Sequence, residues 1–228
     1  MPVITIRGQM GSGAPEVGRI VADKLQFDYI DREIIAEVAD NLKRKYADVA
    51  RKETPPVRLF ERIREALSQS YPIMPDPERM GLSVYLPAWE IPLDDERYVK
   101  SLEVVIKKLA ENQSVVIRGR GSQFILKDFP GAFHVLMVAP EEVRIKRMME
   151  SMKLNEADAG KEMARSDSSH RQFIKRYFKK DLEDPVNYDL VVNTSNLSYK
   201  DIAAIIISAY ELKLKATQIK STEGEQTG

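Results

Sequence analysis

The chain has no cysteine, so neither a disulfide nor a thiolate metal site can form, and a reducing compartment fits. Histidine is almost as scarce. His134 and His170 are the only 2 among 228 residues, which argues against a histidine-rich metal centre. Net charge is missing as well: 35 Lys and Arg residues balance 35 Asp and Glu, so no global field favours nucleic acid or a membrane surface. The longest apolar run near the C-terminus, residues 202–209, is too short to span a bilayer. The opening MPVITIRGQ lacks the basic and then apolar order of a secretion signal, and the expected setting is cytoplasmic. What is present, 43% hydrophobic residues, suffices for one large domain or for one core with an inserted lobe.

Short apolar runs alternate with amphipathic stretches, the βαβα order of a parallel sheet. Val3-Ile4-Thr5-Ile6 reads as a first strand and residues 16–25 as a helix with Val17, Ile20, Val21 and Leu25 near one face. Residues 27–30 read as a second strand, and Asp31 stands at a helix-cap position before residues 32–45. The pattern then breaks, with 7 prolines between residues 54 and 93. Proline removes a backbone donor and fixes φ, so this stretch reads as an inserted, partly irregular lobe. Its Tyr85 and Trp89 suit a local core better than a base-stacking platform. Leu102, Val105, Ile106 and Leu109 then mark a helical stripe. Residues 114–117, 133–138 and 190–192 complete the strands, and Ser198-x-x-Asp201 opens a last helix. The expectation is a single α/β domain over residues 1–216, a five-stranded parallel sheet flanked by helices. It carries an insert at about 46–94, a helical lid at about 150–182 and a loose tail from 217.

The first strand runs into Gly8-Gln9-Met10-Gly11-Ser12-Gly13-Ala14-Pro15. Gly8 and Gly13 are separated by four residues, the Walker A spacing. Small residues let successive amides converge on phosphate oxygens, and the helix start adds partial positive charge. Ala14 stands where the Walker lysine would, and Pro15 where the magnesium-associated hydroxyl would. A ligand-free glycine turn fits the same residues. A dinucleotide fingerprint fits less well, because its third glycine falls at Glu16.

Arg118-Gly119-Arg120-Gly121-Ser122 ends the third strand, on the edge of a parallel sheet where ligands gather. Arg120 is placed to clamp an anion with two hydrogen bonds, unless the turn is simply a solvated loop. Asp31 has an ordinary reading as a helix N-cap. Arg32 is the better functional candidate, since a cation in the first helical turn opposes the dipole. Arg144 and Arg147 share a helix face at i,i+3, and with Arg171 they form either a phosphate-closing lid or a solvated face. Lys175, Arg176, Lys179 and Lys180 read as a solvated face, and His170 as structural. Asp181, Glu183 and Asp184 read as turn formers, and Asn193 and Thr194 either face a base or form a turn.

Taken in order, these positions resemble the cytidylate kinase-like family of P-loop nucleoside monophosphate kinases. The resemblance rests on Gly8 through Gly13, Asp31-Arg32-Glu33 and Val116-Ile117-Arg118-Gly119-Arg120-Gly121-Ser122-Gln123. It continues through Ala139-Pro140-x-x-x-Arg144-x-x-Arg147 and Tyr188-Asp189-Leu190 followed by Asn193-Thr194. It implies transfer of the γ-phosphoryl group of ATP to a nucleoside monophosphate, CMP or dCMP, with Mg2+ held mainly through the nucleotide and no metal ligands from the protein. Gly8, Gln9, Met10, Gly11, Ser12, Gly13 and Ala14 would bind ATP. Asp31, Arg32 and Arg120 would bind the acceptor, and Arg120, Arg144, Arg147 and Arg171 would act on the transferring group. The chain departs from the family at Pro15 and His170, both often arginine, and around the Gly-Arg turn, where Arg118 and Gly121 replace acidic residues. A nucleotide-binding regulatory protein with weak or no kinase activity is the alternative.

Overall fold

Alternation along the first strand assigns its side chains to two layers, and the rest of the fold follows from that division. The computed structural model describes residues 1–31 and 96–225. The first half of the chain supplies β1 (Val3–Gly8), α1 (Ala14–Leu25), β2 (Asp28–Ile30), α2 (Glu96–Asn112) and β3 (Val115–Arg118). Next come α3 (Ser122–Ile125), β4 (Ala132–Val138), α4 (Glu141–Met152), α5 (Glu156–Phe178), a 3-10 turn at Pro185–Asn187, β5 (Leu190–Asn193) and α6 (Tyr199–Glu225). All strand pairs are parallel, in the order β2-β3-β1-β4-β5. The expected five-stranded parallel sheet is thus observed. Its central strand, β1, pairs with β3 on one side and β4 on the other, and chain order reverses there.

Ile4 and Ile6 of β1 pack with Val17 and Val21 of α1 and with Ile202 and Ile206 of α6. Val3 packs on the opposite face with Leu102, Ile106 and Leu109 of α2 and with Phe173 and Ile174 of α5. Helices therefore cover both faces, as buried parallel strands require. Leu102 and Ile106 are fully buried, so truncating either to alanine costs roughly 2–5 kcal/mol.

Two boundaries differ from the sequence expectation. Helix α1 begins at Ala14 rather than residue 16, because Pro15 is well suited to a first turn whose N–H groups lack intrahelical acceptors. Helix α6 continues to Glu225, past Thr217 where a loose tail was expected. Once a helix is nucleated each added residue gains a bond, and Thr217 Oγ1 also donates to Lys213 O at 2.9 Å. The expected insert and Arg32 lie outside the described residues. Most of the expected lid is α5, whose Phe173 and Ile174 join the core while Lys175 and Arg176 face solvent. The Ser198–Asp201 cap is present, with Asp201 N–H donating to Ser198 Oγ at 3.2 Å.

Candidate functional site

A cleft opens beyond the C-terminal ends of β1 and β3. The glycine loop contributes Gln9, Met10, Gly11, Ala14 and Pro15, and the turn after β3 contributes Arg118, Gly119, Arg120 and Gly121. Ser166, Ser169, His170 and Phe173 of α5 form the facing wall, and Arg7 reaches the same space from the end of β1.

The loop amides divide into two groups. Gln9 N–H donates to Met137 O at 3.1 Å, Met10 N–H to Asp167 Oδ1 at 3.1 Å and Ser12 N–H to Gln9 O at 3.0 Å. The N–H groups of Gly11, Gly13 and Ala14 have no protein acceptor among the described residues. The first α1 bond runs from Val17 N–H to Gly13 O at 3.1 Å, so the uncommitted donors sit at a helix start. Gly11 and Gly13 adopt φ of 80° and 84°, where side chains are strained. A Cβ on Gly11 would come within 2.7 Å of Arg144 O, a backbone atom. Donor amides, a helix dipole and close-packed glycines can together hold an anion.

The turn opposite is unusual. Gly119, Arg120 and Gly121 all have positive φ, 82°, 56° and 71°, and Arg120 is only 8% exposed. A bulky residue held in the left-handed region beside a cleft marks a site where position matters more than local comfort. Arg118, next to it, is bound to Asp31 through Nη2–Oδ1 at 2.5 Å and Nε–Oδ2 at 3.1 Å, and Tyr29 OH donates to the same carboxylate at 3.1 Å. Burial pushes the Tyr29 hydroxyl above its ordinary range. Asp31 thus holds Arg118 across β2 and β3 and does not line the cleft.

Arg120 alone of the four arginines expected to be catalytic lines the cleft. Arg144 Nη1 donates to Asp167 Oδ2 at 2.6 Å and to Met10 O at 3.2 Å, beneath the loop. Arg147 donates to Thr194 Oγ1 at 2.9 Å and Thr194 O at 2.6 Å, with its guanidinium 5.5 Å from the Tyr199 ring centre. Thr194 Oγ1 in turn donates to Ser12 O at 2.9 Å, so Thr194 braces the loop. Arg171 is exposed, 3.5 Å from Glu183. The Asp181 and Asp184 side chains accept N–H groups two residues on, at 2.9 and 3.1 Å, as turn formers do.

Sequence reasoning missed two buried groups. Asp167, 5% exposed, joins the Met10 amide, Arg144 and, at 3.9 Å, Arg7. Arg7, 8% exposed, occupies a strand position whose alternation should place an apolar side chain in the interior. That mismatch is a readable signal for Arg7, whereas Asp167 offered none. Arg7 is close enough to Tyr188 to oppose the effect of burial, which pushes that hydroxyl up to about 12. His170 lines the cleft, with Nδ1 at 2.8 Å from Ser166 O; the carbonyl only accepts, so Nδ1 carries the proton. Among the described residues no three His, Asp or Glu cluster to hold a metal, and Pro15 brings no hydroxyl. Among the described residues the lining of the cleft carries no carboxylate. No described helix is long and apolar enough to cross a membrane.

A parallel sheet with an N-terminal glycine loop opening on an arginine-lined cleft is the architecture of P-loop kinases related to nucleoside monophosphate kinases. The chain belongs to the cytidylate kinase-like family, whose sequence model matches residues 3–196. It is 24% identical over 211 residues to a cytidylate kinase from Sulfolobus acidocaldarius, covering 92% of this chain and 94% of that one. A uronate isomerase from Corynebacterium glutamicum is 29% identical over 98 residues, but the match spans 43% of this chain and 19% of that protein. Among solved structures, an uncharacterized protein from Eubacterium ventriosum superposes with a TM-score of 0.65 at 18% identity, covering 92% of this chain and 99% of that one.

Proposed function

We propose that the chain is an ATP-dependent phosphotransferase whose acceptor is a nucleoside monophosphate, with CMP and dCMP first. The observation that carries this reading is one cleft shared by the buried Arg120 and a loop whose Gly11, Gly13 and Ala14 amides are uncommitted. The loop amides hold the ATP phosphates. Arg120 holds the acceptor phosphate, and an acceptor oxygen displaces ADP from the γ-phosphorus. Such transfer asks the protein for alignment and charge neutralisation, not covalent chemistry. Arg144 and Arg147 act through the loop as positioning residues, and Arg171 supplies a further cation from α5. Magnesium arrives on the nucleotide, and a cytoplasmic setting supplies ATP. The cytidylate kinase name of the Sulfolobus relative supports the acceptor class.

Ala14 and Pro15 favour a second reading, a nucleotide-binding regulatory protein with little turnover. One screen separates the two: ADP formation from ATP and magnesium with CMP, dCMP, UMP, AMP or GMP. Turnover with CMP or dCMP that falls in Arg120→Ala supports the kinase. No product with any acceptor, while saturating ATP stabilises the fold by about 2.7 kcal/mol at 100 times Kd, supports the regulatory reading. No product and no stabilisation contradict both.

A further inference from the structure

We propose that Gln123 reads the acceptor base: its side-chain carbonyl accepts a hydrogen bond from the exocyclic amino group of cytosine and rejects the oxo group that uracil carries there. The inference rests on the acceptor reading above and names what separates one pyrimidine from the other at that site. Gln123 lies three residues after Arg120, in the first turn of α3. That turn is tied down on both sides, with Ser122 N–H donating to Gly119 O at 3.1 Å and Phe124 N–H to Gly121 O at 2.9 Å. The Gln123 side chain lines the cleft although the residue is only 3% exposed.

The two ends of a primary amide are alike in size, so its orientation is set by its hydrogen-bond partners. Tyr188 O–H donates to Leu182 O at 2.6 Å, and a carbonyl can only accept. Burial pushes that hydroxyl up to about 12, so it keeps its proton at neutral pH. With that proton on Leu182, the Tyr188 oxygen can only accept from Gln123, and Nε2 of the amide faces it at 3.1 Å. Oε1 takes the other side. Among the described residues nothing donates to it, and unlike the unpartnered hydroxyls of Ser12 and Ser122 it is not sealed from solvent. A nearly buried acceptor that opens on a cleft is suited to a donor brought by a ligand. An amide free to turn would serve either pyrimidine, by offering Nε2 to an oxo group. The Tyr188–Leu182 bond opposes that turn, so the 4-amino group of cytosine is matched and the 4-oxo group of uracil meets a second acceptor. A site built around one such bond discriminates against an analogue that cannot make it. No carboxylate in the described lining competes with Oε1 for the amino group.

The test is calorimetric titration of the full chain with CMP, dCMP and UMP, for wild type, Gln123→Leu and Tyr188→Phe. Wild type should bind CMP and dCMP about 10-fold tighter than UMP. Gln123→Leu should weaken CMP and dCMP by roughly that factor and leave UMP nearly unchanged; if this variant does not fold, Gln123→Met takes its place. Tyr188→Phe leaves the cleft lining intact and frees the amide to turn, so UMP should tighten toward CMP. A merely structural Gln123 would shift all three nucleotides together. Equal affinities in wild type, or a CMP-to-UMP ratio that neither variant changes, would overturn the proposal and leave the acceptor reading standing. A loss for CMP without one for dCMP would move the bond to the ribose 2′-hydroxyl and overturn it as well. If wild type binds none of the three, the acceptor reading itself fails, and this proposal with it.

Discussion

Removing the carboxylate of Asp167 should loosen the glycine loop and the fold together. Asp167→Ala strips Arg144 of an acceptor at 2.6 Å, and the Arg144 side chain is only 10% exposed. The relevant magnitude is therefore that of a broken buried pair, about 3–5 kcal/mol, rather than the ~1 kcal/mol of a surface pair. The Met10 amide, 3.1 Å from Oδ1, also loses its acceptor. Asp167→Asn can still accept from that amide through its carbonyl oxygen while losing the charge. The difference between the two variants then isolates the amide, about 1–3 kcal/mol. In a chain of this size 3–5 kcal/mol corresponds to a Tm fall of about 6–20 °C. Urea unfolding of wild type and both variants at neutral pH measures the two free energies, and thermal unfolding measures the Tm fall. Variants that both stay within about 1 kcal/mol of wild type would refute the reasoning, since the buried pair could not then be holding the loop.

Three further outcomes follow from the same geometry. Gly11→Ala should cost about 1–3 kcal/mol and abolish ATP-induced stabilisation, because its φ is 80° and its Cβ meets Arg144 O at 2.7 Å; thermal unfolding with and without ATP checks both effects. Thr194→Val removes a fully buried hydroxyl that donates to Ser12 O and accepts from Arg147, at an expected cost of about 1–3 kcal/mol in urea unfolding. Burial holds the His134 imidazole below its ordinary value, so the folded state prefers it neutral and the unfolded chain takes up the proton first on acidification. Its contribution to stability is complete above about pH 6.5 and is lost as pH falls, by at most ~1.4 kcal/mol per pH unit. His134→Gln should flatten the wild-type decline between pH 7 and 5, and equal slopes in the two proteins would count against this.

The strands and helices were legible because their signals are local. Ile4 and Ile6 alternate with Thr5, and Leu102, Val105, Ile106 and Leu109 recur at helical spacing, so the sheet and its covering helices follow from neighbours in sequence. Ser198 and Asp201 announce their helix over a single turn. The candidate site was legible in outline, as a glycine loop and an arginine turn after two parallel strands. Its internal wiring was not. Met10 and Asp167 are 157 positions apart, and no short pattern ties an aspartate inside an amphipathic helix to an amide in a distant loop. For the same reason Arg144 and Arg147 read as either lid cations or a solvated face, whereas their hydrogen bonds run to Met10, Asp167 and Thr194. The Asp31 carboxylate also binds Arg118 on a neighbouring strand, a pairing that only sheet order reveals.

The anion cup itself can be observed residue by residue by titrating ATP into the isotope-labelled chain and following backbone amide resonances. Saturable shifts are expected at Gly11, Gly13 and Ala14, with a smaller response at Met10, whose N–H stays on Asp167. Resonances of the loop that remain still while others move, or no movement anywhere at millimolar ATP, would contradict it.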